Sequence, residues 1–562
     1  MVLNLQKVAT TIVIGTTAVA LLAGCGGNTP GKSGNGNQAA GSGNTSQSSS
    51  SANSLTILAE ESSSWTDNFN PFAVANLQTP NGTIYEPLFY FSTTSSKVYN
   101  MLGTNMQWSN GNKTLTVTVR SGVKWNDGTS FSNKDVVFTY NMLKQYPALD
   151  TQAIWKSLSA VKAVGSNQVE FDFTSVQVPF AQIVVGDIPI VPQHIWSKIQ
   201  GDPSKWTDPS PVGTGPYMLD KFNAQTYTLK ANSNYWGGAL AAKELIYPAI
   251  SSAQAANLQL TSGKLDWADE FLQNIDKLYV SKDPTNRHYF FPPVADLNLV
   301  PNLKNPLLAN VAVRQAMSDA IDRQQIDTVG EFGYEKPANP SGLVLPNESA
   351  WLKPGLSTTF TNSISTANAL LDKAGFKMGP GGIRVSPTGK KLSFNLMAPN
   401  GWTDWNEDES LIAQDLKKIG IQINVQEPQQ TDWSSALLNH QFDLALESGL
   451  FAGNTPYQGF RNTLYPGLQQ NYEQYDNPVV KQALDQFEST VDASTQKSAM
   501  YTIETQFEQD LPVIPLVYAA EWSQNSTKNF TGWPTASNPY VDPSPATAFA
   551  DGIVLENLKP AH

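Results

Sequence analysis

The sequence predicts an α/β protein with more than one hydrophobic core. Strand and helix patterns alternate between residues 390 and 446, and such alternation is typical of an open α/β sheet. A second stretch, at 113–120, alternates strictly between polar and apolar residues, which predicts a strand with one buried face. Of the 562 residues, 40% are hydrophobic and 15% are charged. The chain is several times longer than a typical single domain, so we expect more than one core.

The strand at 113–120 is followed by a helix with a clear start signal. Leu115, Val117 and Val119 occupy alternate positions of the strand and are predicted to face a core. Ser132 is followed three residues later by Asp135, and this spacing resembles a capping box, which satisfies free backbone N–H groups at a helix start. We therefore expect a helix to begin at this serine.

Residues 307–326 predict a single helix region, with the apolar face given by Leu308, Ala312, Ala316, Ala320 and Ile321. The alternating region that follows contains three predicted strands and two predicted helices, which are Leu392–Met397, Glu407–Ile419, Ile421–Val425, Asp432–Asn439 and Phe442–Leu446. Ligands of open α/β sheets bind beyond the carboxyl ends of the strands. The segment 447–457, which follows the last strand, is therefore a candidate wall of a binding site.

The first 54 residues predict a targeting segment followed by a flexible tether. Residues 8–24 are apolar or small and carry no charge, and they end at the single cysteine of the chain, Cys25. Small residues before a cysteine at the end of such a stretch resemble a bacterial lipobox, which implies that Cys25 carries a diacylglyceryl anchor. Residues 26–54 consist almost entirely of Gly, Ser, Asn, Gln and Thr, and we expect them to be disordered.

Charge and one local motif exclude other classes of protein. The formal net charge is −12 and no basic stripe occurs, so we expect no nucleic-acid partner. Residues 26–33 read GGNTPGKS, which fits a phosphate-binding loop. Such a loop requires a strand before it and a helix after it. Neither is predicted here, so the match is attributed to chance.

Six stretches of the body follow one another in an order known from one family. They are 84–88 (IYEPL), 114–143, 213–217 (GTGPY), 232–238 (NSNYWGG), 305–326 and 511–519 (LPVIPLVYA). Together they resemble the family 5 extracellular solute-binding proteins, the peptide- and nickel-type receptors of ABC importers. The resemblance implies a two-lobed, periplasmic-binding-protein-like fold of type II (cluster C), with an inserted subdomain and a hinge of two crossing strands.

The resemblance also implies the organisation of the chain and its partners. The expected segments are a signal peptide at 1–24, a tether at 25–54, a first lobe at 55–296 with an inserted subdomain at about 92–211, a second lobe at 297–520, and a return to the first lobe at 521–562. We expect a monomeric, extracytoplasmic body, tethered to the cell membrane by its lipid. Its closed form would be recognised by a separate permease with its ATPases.

Two ligand classes stay open from the sequence. Members of the family that bind peptides hold the ammonium group with an aspartate after the strand equivalent to Phe442–Leu446, and the segment 447–457 contains no aspartate. Tryptophan-rich stretches around 266–269 and 401–405 are similar to the branch associated with cello- and manno-oligosaccharides. The predicted ligand-binding residues are Trp65, Trp267, Trp402, Trp405, Phe451, Asn454, Tyr457 and Trp522.

An enzyme is the main alternative class, for example a secreted glycoside hydrolase. The four histidines show no metal-ligand spacing and no G-x-S-x-G motif occurs, so we expect neither a catalytic site nor a cofactor. The acidic clusters 269–270 and 407–409 are interpreted as solvated helix ends. A nickel or haem receptor is a third possibility, which the lack of a histidine cluster disfavours.

Overall fold

The computed structural model describes residues 52–73, 77, 79–95, 97–451 and 455–561. The predicted signal peptide, Cys25 and nearly all of the predicted tether lie outside these residues. Within the described part of the chain, no helix combines the length and the apolar composition that a membrane span requires.

Two large mixed sheets form the centres of two lobes. The seven-stranded sheet of the first lobe contains, in spatial order, Arg287–Tyr289, Gln524–Ser526, Trp267–Ala268, Ser54–Leu58, Glu244–Pro248, Thr226–Ala231 and Tyr217–Asn223. The five-stranded sheet of the second lobe contains Gln422–Gln426, Ser393–Met397, Leu444–Phe451, Ala295–Pro301 and Ile514–Val517. In the second sheet, Ser393–Met397 pairs in parallel with both of its neighbours. This pairing confirms the open α/β arrangement expected from the alternating pattern.

A smaller antiparallel sheet lies in the part of the chain where an inserted subdomain was expected. Its strands are Gly103–Ser109, Thr114–Val119, Gln168–Phe173 and Leu158–Val164. Leu115, Val117 and Val119 are buried, as the alternation predicts. The capping box is also confirmed, because the Asp135 carboxylate accepts a hydrogen bond of 2.9 Å from the backbone N–H of Ser132 at the start of helix Asn133–Gln145.

The longer helices pack against these sheets. They are Asn133–Gln145, Ala253–Ser262, Val311–Ala320, Ile364–Lys373, Thr403–Lys417, Gln430–Leu438, Tyr457–Leu464, Pro478–Glu488, Ala493–Asp510 and Ala550–Asn557. Side chains of strand Ala295–Pro301 alternate between two cores, as the period of a strand requires. Leu297 and Leu299 pack into one core and Val300 into the other. Both faces of the second sheet are therefore covered by helices.

The helix region predicted at 307–326 is divided in the structure, and its main helix is shorter than the predicted range. The helix runs only from Val311 to Ala320, because Asn310 caps its start and Ile321 has an extended backbone. Asp322 then accepts a hydrogen bond of 3.1 Å from the N–H of Gln325 and begins a new turn. Two successive cap residues divide a stretch whose apolar pattern is continuous.

The last predicted strand of the second lobe is also displaced. It runs over Leu444–Phe451 rather than 442–446. Glu447 therefore lies within the strand, opposite Asn298, and only the end of the segment 447–457 can lie beyond the sheet edge.

Two extended segments connect the lobes and pair with each other. The N–H of Phe290 donates to the carbonyl of Ser523 at 3.0 Å, and the N–H of Val294 donates to the carbonyl of Ala519 at 3.0 Å. The N–H of Glu521 donates back to the carbonyl of Pro292 at 3.0 Å. The chain thus passes from one lobe to the other through a short antiparallel ladder, which is the hinge that the two-lobed fold requires.

Candidate functional site

A cavity of about 540 Å³ lies between the lobes. The first lobe contributes Glu61, Ala253, Asn257, Asp269, Glu270, Phe271, Leu272, Gln273 and Leu278, and the second lobe contributes Thr403. A larger groove of about 750 Å³ lies nearby along helix Ala253–Ser262, but all of its lining residues come from the first lobe. Since a two-lobed fold encloses its ligand by closure, the cavity that both lobes line is the candidate site.

The strands of both sheets explain why these residues meet. Ser54–Leu58 and Trp267–Ala268 are parallel neighbours in the first sheet, and their carboxyl ends lead into Glu61 and the segment 269–273. In the second lobe, helix Thr403–Lys417 begins shortly after the carboxyl end of strand Ser393–Met397. The cavity therefore lies at the edge where open α/β sheets bind their ligands.

Three tryptophans form a cluster at the second-lobe side of the cavity. The ring centroids of Trp402 and Trp405 are 4.7 Å apart, and Trp433 lies 6.0 Å from the first and 6.1 Å from the second. Trp402 retains 36% of its surface exposed and directly precedes Thr403, whereas Trp433 is buried. The cluster thus holds the exposed indole ring of Trp402 against two others, next in sequence to a residue that lines the cavity.

A second aromatic group, the hinge aromatic cluster, consists of Phe271, Phe291, Tyr334 and Trp522. The ring of Trp522 lies 5.2 Å from that of Phe271 and 4.8 Å from that of Phe291. Phe291 and Trp522 belong to the two crossing segments, whereas Tyr334 comes from the second lobe. The cluster therefore packs at the junction of the lobes, next to the 269–273 segment.

The burial of Trp65, Trp267 and Tyr457 argues against their predicted role in ligand binding. Trp65 is 7% exposed, Trp267 1% and Tyr457 2%. The indole N–H of Trp65 donates to the carbonyl of Tyr247 at 3.0 Å and that of Trp267 to the carbonyl of Pro543 at 2.8 Å, so these rings are fixed parts of the first-lobe core.

Tyr457 stacks on Phe487 in the second lobe, with ring centroids 4.9 Å apart. None of these three rings has a face free for a ligand. The side chain of Phe451 and the whole of Asn454 lie outside the described residues. Trp522 lies at the lobe junction, and Trp402 and Trp405 lie beside Thr403 in the second lobe, so a role of these three residues in ligand binding stays a prediction.

The acidic clusters are not the solvated helix ends that the sequence suggests. Glu270 is 5% exposed, and Asp408 and Glu409 are fully buried, while Glu407 alone of its triplet is exposed. Burial raises the pKa of Glu270 to about 8 and that of Glu409 to about 8. These groups therefore hold protons at neutral pH instead of carrying solvated charges.

Asp408 and Glu331 form a buried carboxyl pair behind the hinge. Burial raises the pKa of Glu331 to about 7 and that of Asp408 well above its usual value, and the nearby negative charge of Glu331 adds to the effect on Asp408. Glu335 is also buried and accepts a hydrogen bond of 2.8 Å from the N–H of Ala520 in the returning segment. Ionisation of both carboxyl groups would place two like charges in a buried environment, which favours the protonated form of at least one of them.

A second cluster, which consists of the three carboxyl side chains of Asp269, Glu521 and Asp542, lies on the first-lobe side of the hinge. The hydroxyl of Ser544 donates to Asp269 at 3.0 Å, and the hydroxyl of Thr547 contacts Glu521 at 3.3 Å and Asp542 at 3.1 Å. Burial raises the pKa of Asp269 to about 7 and that of Asp542 to about 6. Within the described residues, the ion pairs include none of these carboxyl groups.

Sequence reasoning missed four residues of the junction, namely Phe271, Phe291, Tyr334 and Trp433. Each lies in a loop or on a short helix where no periodic pattern marks the exposed face. Within the described residues, no three His, Cys, Asp or Glu side chains are placed to hold a metal ion.

The fold and the cavity define a class: a two-lobed binding protein whose lobes are joined by a paired hinge. Comparison with known proteins gives the family. Residues 97–471 match the bacterial extracellular solute-binding proteins, family 5 (middle region), and the chain belongs to this family. It is the substrate-binding component of an ABC importer, and proteins of this family act outside the cytoplasm.

Several relatives resemble most of the chain. Protein XP55 of Streptomyces lividans is 28% identical over 408 residues, which is 70% of each chain. The oligopeptide-binding protein AppA of Bacillus subtilis is 26% identical over 460 residues, covering 77% of this chain and 80% of its own.

A crystal structure of a periplasmic oligopeptide-binding protein of an ABC transporter from Thermotoga maritima has a TM-score of 0.81 and 26% identity, covering 91% of this chain and 99% of its own. A second crystal structure of that protein, with mannohexaose bound, has a TM-score of 0.71 at the same identity and coverage.

The buried carboxyl groups predict that stability falls as pH rises. A carboxyl group with a raised pKa in the folded state binds its proton more tightly there than in the unfolded chain. Its stabilising effect is complete below about pH 4 and is lost between about pH 4 and pH 8. We expect the unfolding temperature to be roughly 5 °C or more lower at pH 8 than at pH 5, measured by calorimetry at constant ionic strength.

The matched control is the double variant Glu331→Gln, Asp408→Asn, which keeps the shape of the buried pair and removes its titration. This variant should show a shallower loss of stability with pH. An unfolding temperature that is constant or rises over this range in the unmodified protein contradicts the interpretation.

Proposed function

We propose that this protein captures a neutral β-linked oligosaccharide of the manno or cello type in the cavity between its lobes and delivers it to a membrane permease. The observation that carries the proposal is the exposed ring of Trp402, which packs against Trp405 and Trp433 and directly precedes Thr403, a residue that lines the cavity together with polar side chains such as Asn257 and Gln273. Sugar rings present apolar C–H faces that pack on such indole surfaces.

The carboxyl groups around the cavity fit the hydroxyl groups of a sugar. A carboxyl group that holds its proton both donates and accepts hydrogen bonds, which matches the dual character of a hydroxyl group. Glu270 and Asp269 line the cavity, and burial raises the pKa of both to near or above neutrality. A site of this kind binds a neutral polar ligand without the cost of burying an unpaired charge.

An oligopeptide is the second candidate, favoured by the names of the Bacillus and Thermotoga relatives. A peptide ammonium group would require a carboxylate near the end of strand Leu444–Phe451. Glu447 lies close to Gly449 and Asn298 inside the sheet, and burial raises its pKa to about 7. This side chain is a poor permanent counter-charge, and the sugar is therefore preferred. The mannohexaose bound to the Thermotoga protein supports the same choice.

The first prediction concerns the class of ligand. Mannohexaose and cello-oligosaccharides should bind with a change in tryptophan fluorescence, because the ligand covers Trp402, and tripeptides to pentapeptides should give no saturable change. Titration calorimetry provides the affinity, and mass spectrometry of the released ligand should find it intact. Saturation by peptides alone would overturn the sugar proposal, and recovery of shortened sugar would show that the protein is a hydrolase.

The second prediction tests the stacking surface. Trp402→Ala should weaken sugar binding about tenfold or more, since it removes the aromatic face that contacts the sugar ring. Trp108→Ala is the matched control, because Trp108 is partly exposed and packs on Phe173 in the four-stranded sheet, with no contact to the cavity. Equal affinities of the two variants would remove Trp402 from the site.

We also propose that Cys25 anchors the protein through a lipid. The support is the apolar stretch before this cysteine, its position as the sole cysteine, and the polar residues 26–54 that follow. Cys25→Ser should shift the protein from the membrane fraction to the soluble fraction in the producing cells. Intact-mass analysis should show an added diacylglyceryl group on the protein that retains Cys25 and not on the serine variant. Membrane retention of the serine variant would contradict lipidation at this residue.

A further inference from the structure

The side chain of Tyr334 crosses from the second lobe into the first. Its hydroxyl donates a hydrogen bond of 3.0 Å to the carbonyl of Leu272 and accepts one of 3.0 Å from the N–H of Ile275. Its ring packs against the small core of the first lobe that contains both of these residues. The ring also lies 5.5 Å from Phe291 in the crossing segment.

The base of this side chain is fixed to the second lobe. The N–H of Gly333 donates to the carbonyl of Asp327, and the N–H of Ala338 donates to the carbonyl of Leu516 at 3.0 Å. The Lys336 ammonium group forms an ion pair of 3.3 Å with Asp327. The segment 331–338 is thus attached along one side of the second sheet, with Tyr334 projecting from it.

The partner of Tyr334 is a turn of the first lobe that leaves one backbone N–H without an acceptor in its own helix. Asn274, which precedes this helix, has a left-handed backbone with φ of 54°, a conformation that asparagine adopts more readily than most residues. Ile275 is the first residue of a four-residue helix, so its N–H has no acceptor within that helix. The Tyr334 hydroxyl supplies this missing acceptor from the other lobe.

We infer that Tyr334 is a positioning residue for ligand binding. Residues 269–273 form one wall of the cavity, and the Tyr334 hydroxyl bonds to both ends of the turn from Leu272 to Ile275 at the end of this wall. These bonds couple the position of the wall to that of the second lobe. The inference rests on the proposed use of this cavity. A separation of the lobes that moves segment 331–338 away from the first lobe would break the two hydrogen bonds of Tyr334 and remove this support from the wall.

Hydrogen exchange and binding kinetics test this role with Tyr334→Phe, which keeps the ring and removes the hydroxyl. Without ligand, the amide of Ile275 should exchange at least tenfold faster than in the unmodified protein. With mannohexaose, affinity should fall about 5- to 30-fold, corresponding to the loss of one to two net hydrogen bonds. The loss should appear mainly as faster dissociation, because the hydrogen bonds join the two lobes that line the cavity.

Tyr465→Phe is the matched control, since the Tyr465 hydroxyl bonds to Asp485 within the second lobe at 3.0 Å and does not contact the first lobe. This variant should change neither the exchange of Ile275 nor the dissociation rate. Unchanged exchange of Ile275 in Tyr334→Phe would overturn the inference. A different outcome is faster exchange of Ile275 in Tyr334→Phe while the unsubstituted protein does not bind mannohexaose. That outcome would support the interlobe contact of Tyr334 and refute the sugar as the ligand.

Discussion

The backbone hydrogen bonds between the two crossing segments restrict every movement of one lobe relative to the other. A short antiparallel ladder bends and twists easily, but its paired carbonyl and N–H groups resist sliding along the strands. The carboxyl ends of the central strands therefore face each other at the same place whenever the lobes close. The cavity lies where Glu61 and 269–273 of the first lobe approach Thr403 of the second, and the ladder joins the same two lobes.

The formal net charge of −12 counts every carboxyl group as ionised, and this assumption does not hold at the junction between the lobes. In the part of the chain that the structure describes, several carboxyl groups there form no ion pair, and burial raises the pKa of Glu270 to about 8 and that of Glu331 to about 7. Asp408 and Glu331 share one such environment behind the hinge, and Asp269 belongs to another beside the cavity. A junction of neutral, hydrogen-bonding groups avoids the repulsion that opposing carboxylates would cause on closure.

Local patterns were sufficient for the fold but not for the site. The strand at 114–119 and the Ser132 capping box are encoded within a few residues, and both were predicted correctly. The burial of Trp65 and Trp267 depends on Tyr247 and Pro543, which are distant in sequence, so composition could not distinguish them from Trp402. The acidic triplet 407–409 has the pattern of a solvated first turn, and only the approach of Glu331 shows that Asp408 is buried.

Tyr334 illustrates why such a contact is built from neutral groups. A solute-binding protein must open and close repeatedly, so its closed state can be favoured by only a few kcal/mol before the ligand contributes. A buried ion pair between the lobes would add a large desolvation cost to every opening or closing step. Two hydrogen bonds from one hydroxyl group cost and return only about 1 kcal/mol each. Their directionality nevertheless sets the positions of Leu272 and Ile275, which gives the cavity wall a defined shape without fixing the lobes together.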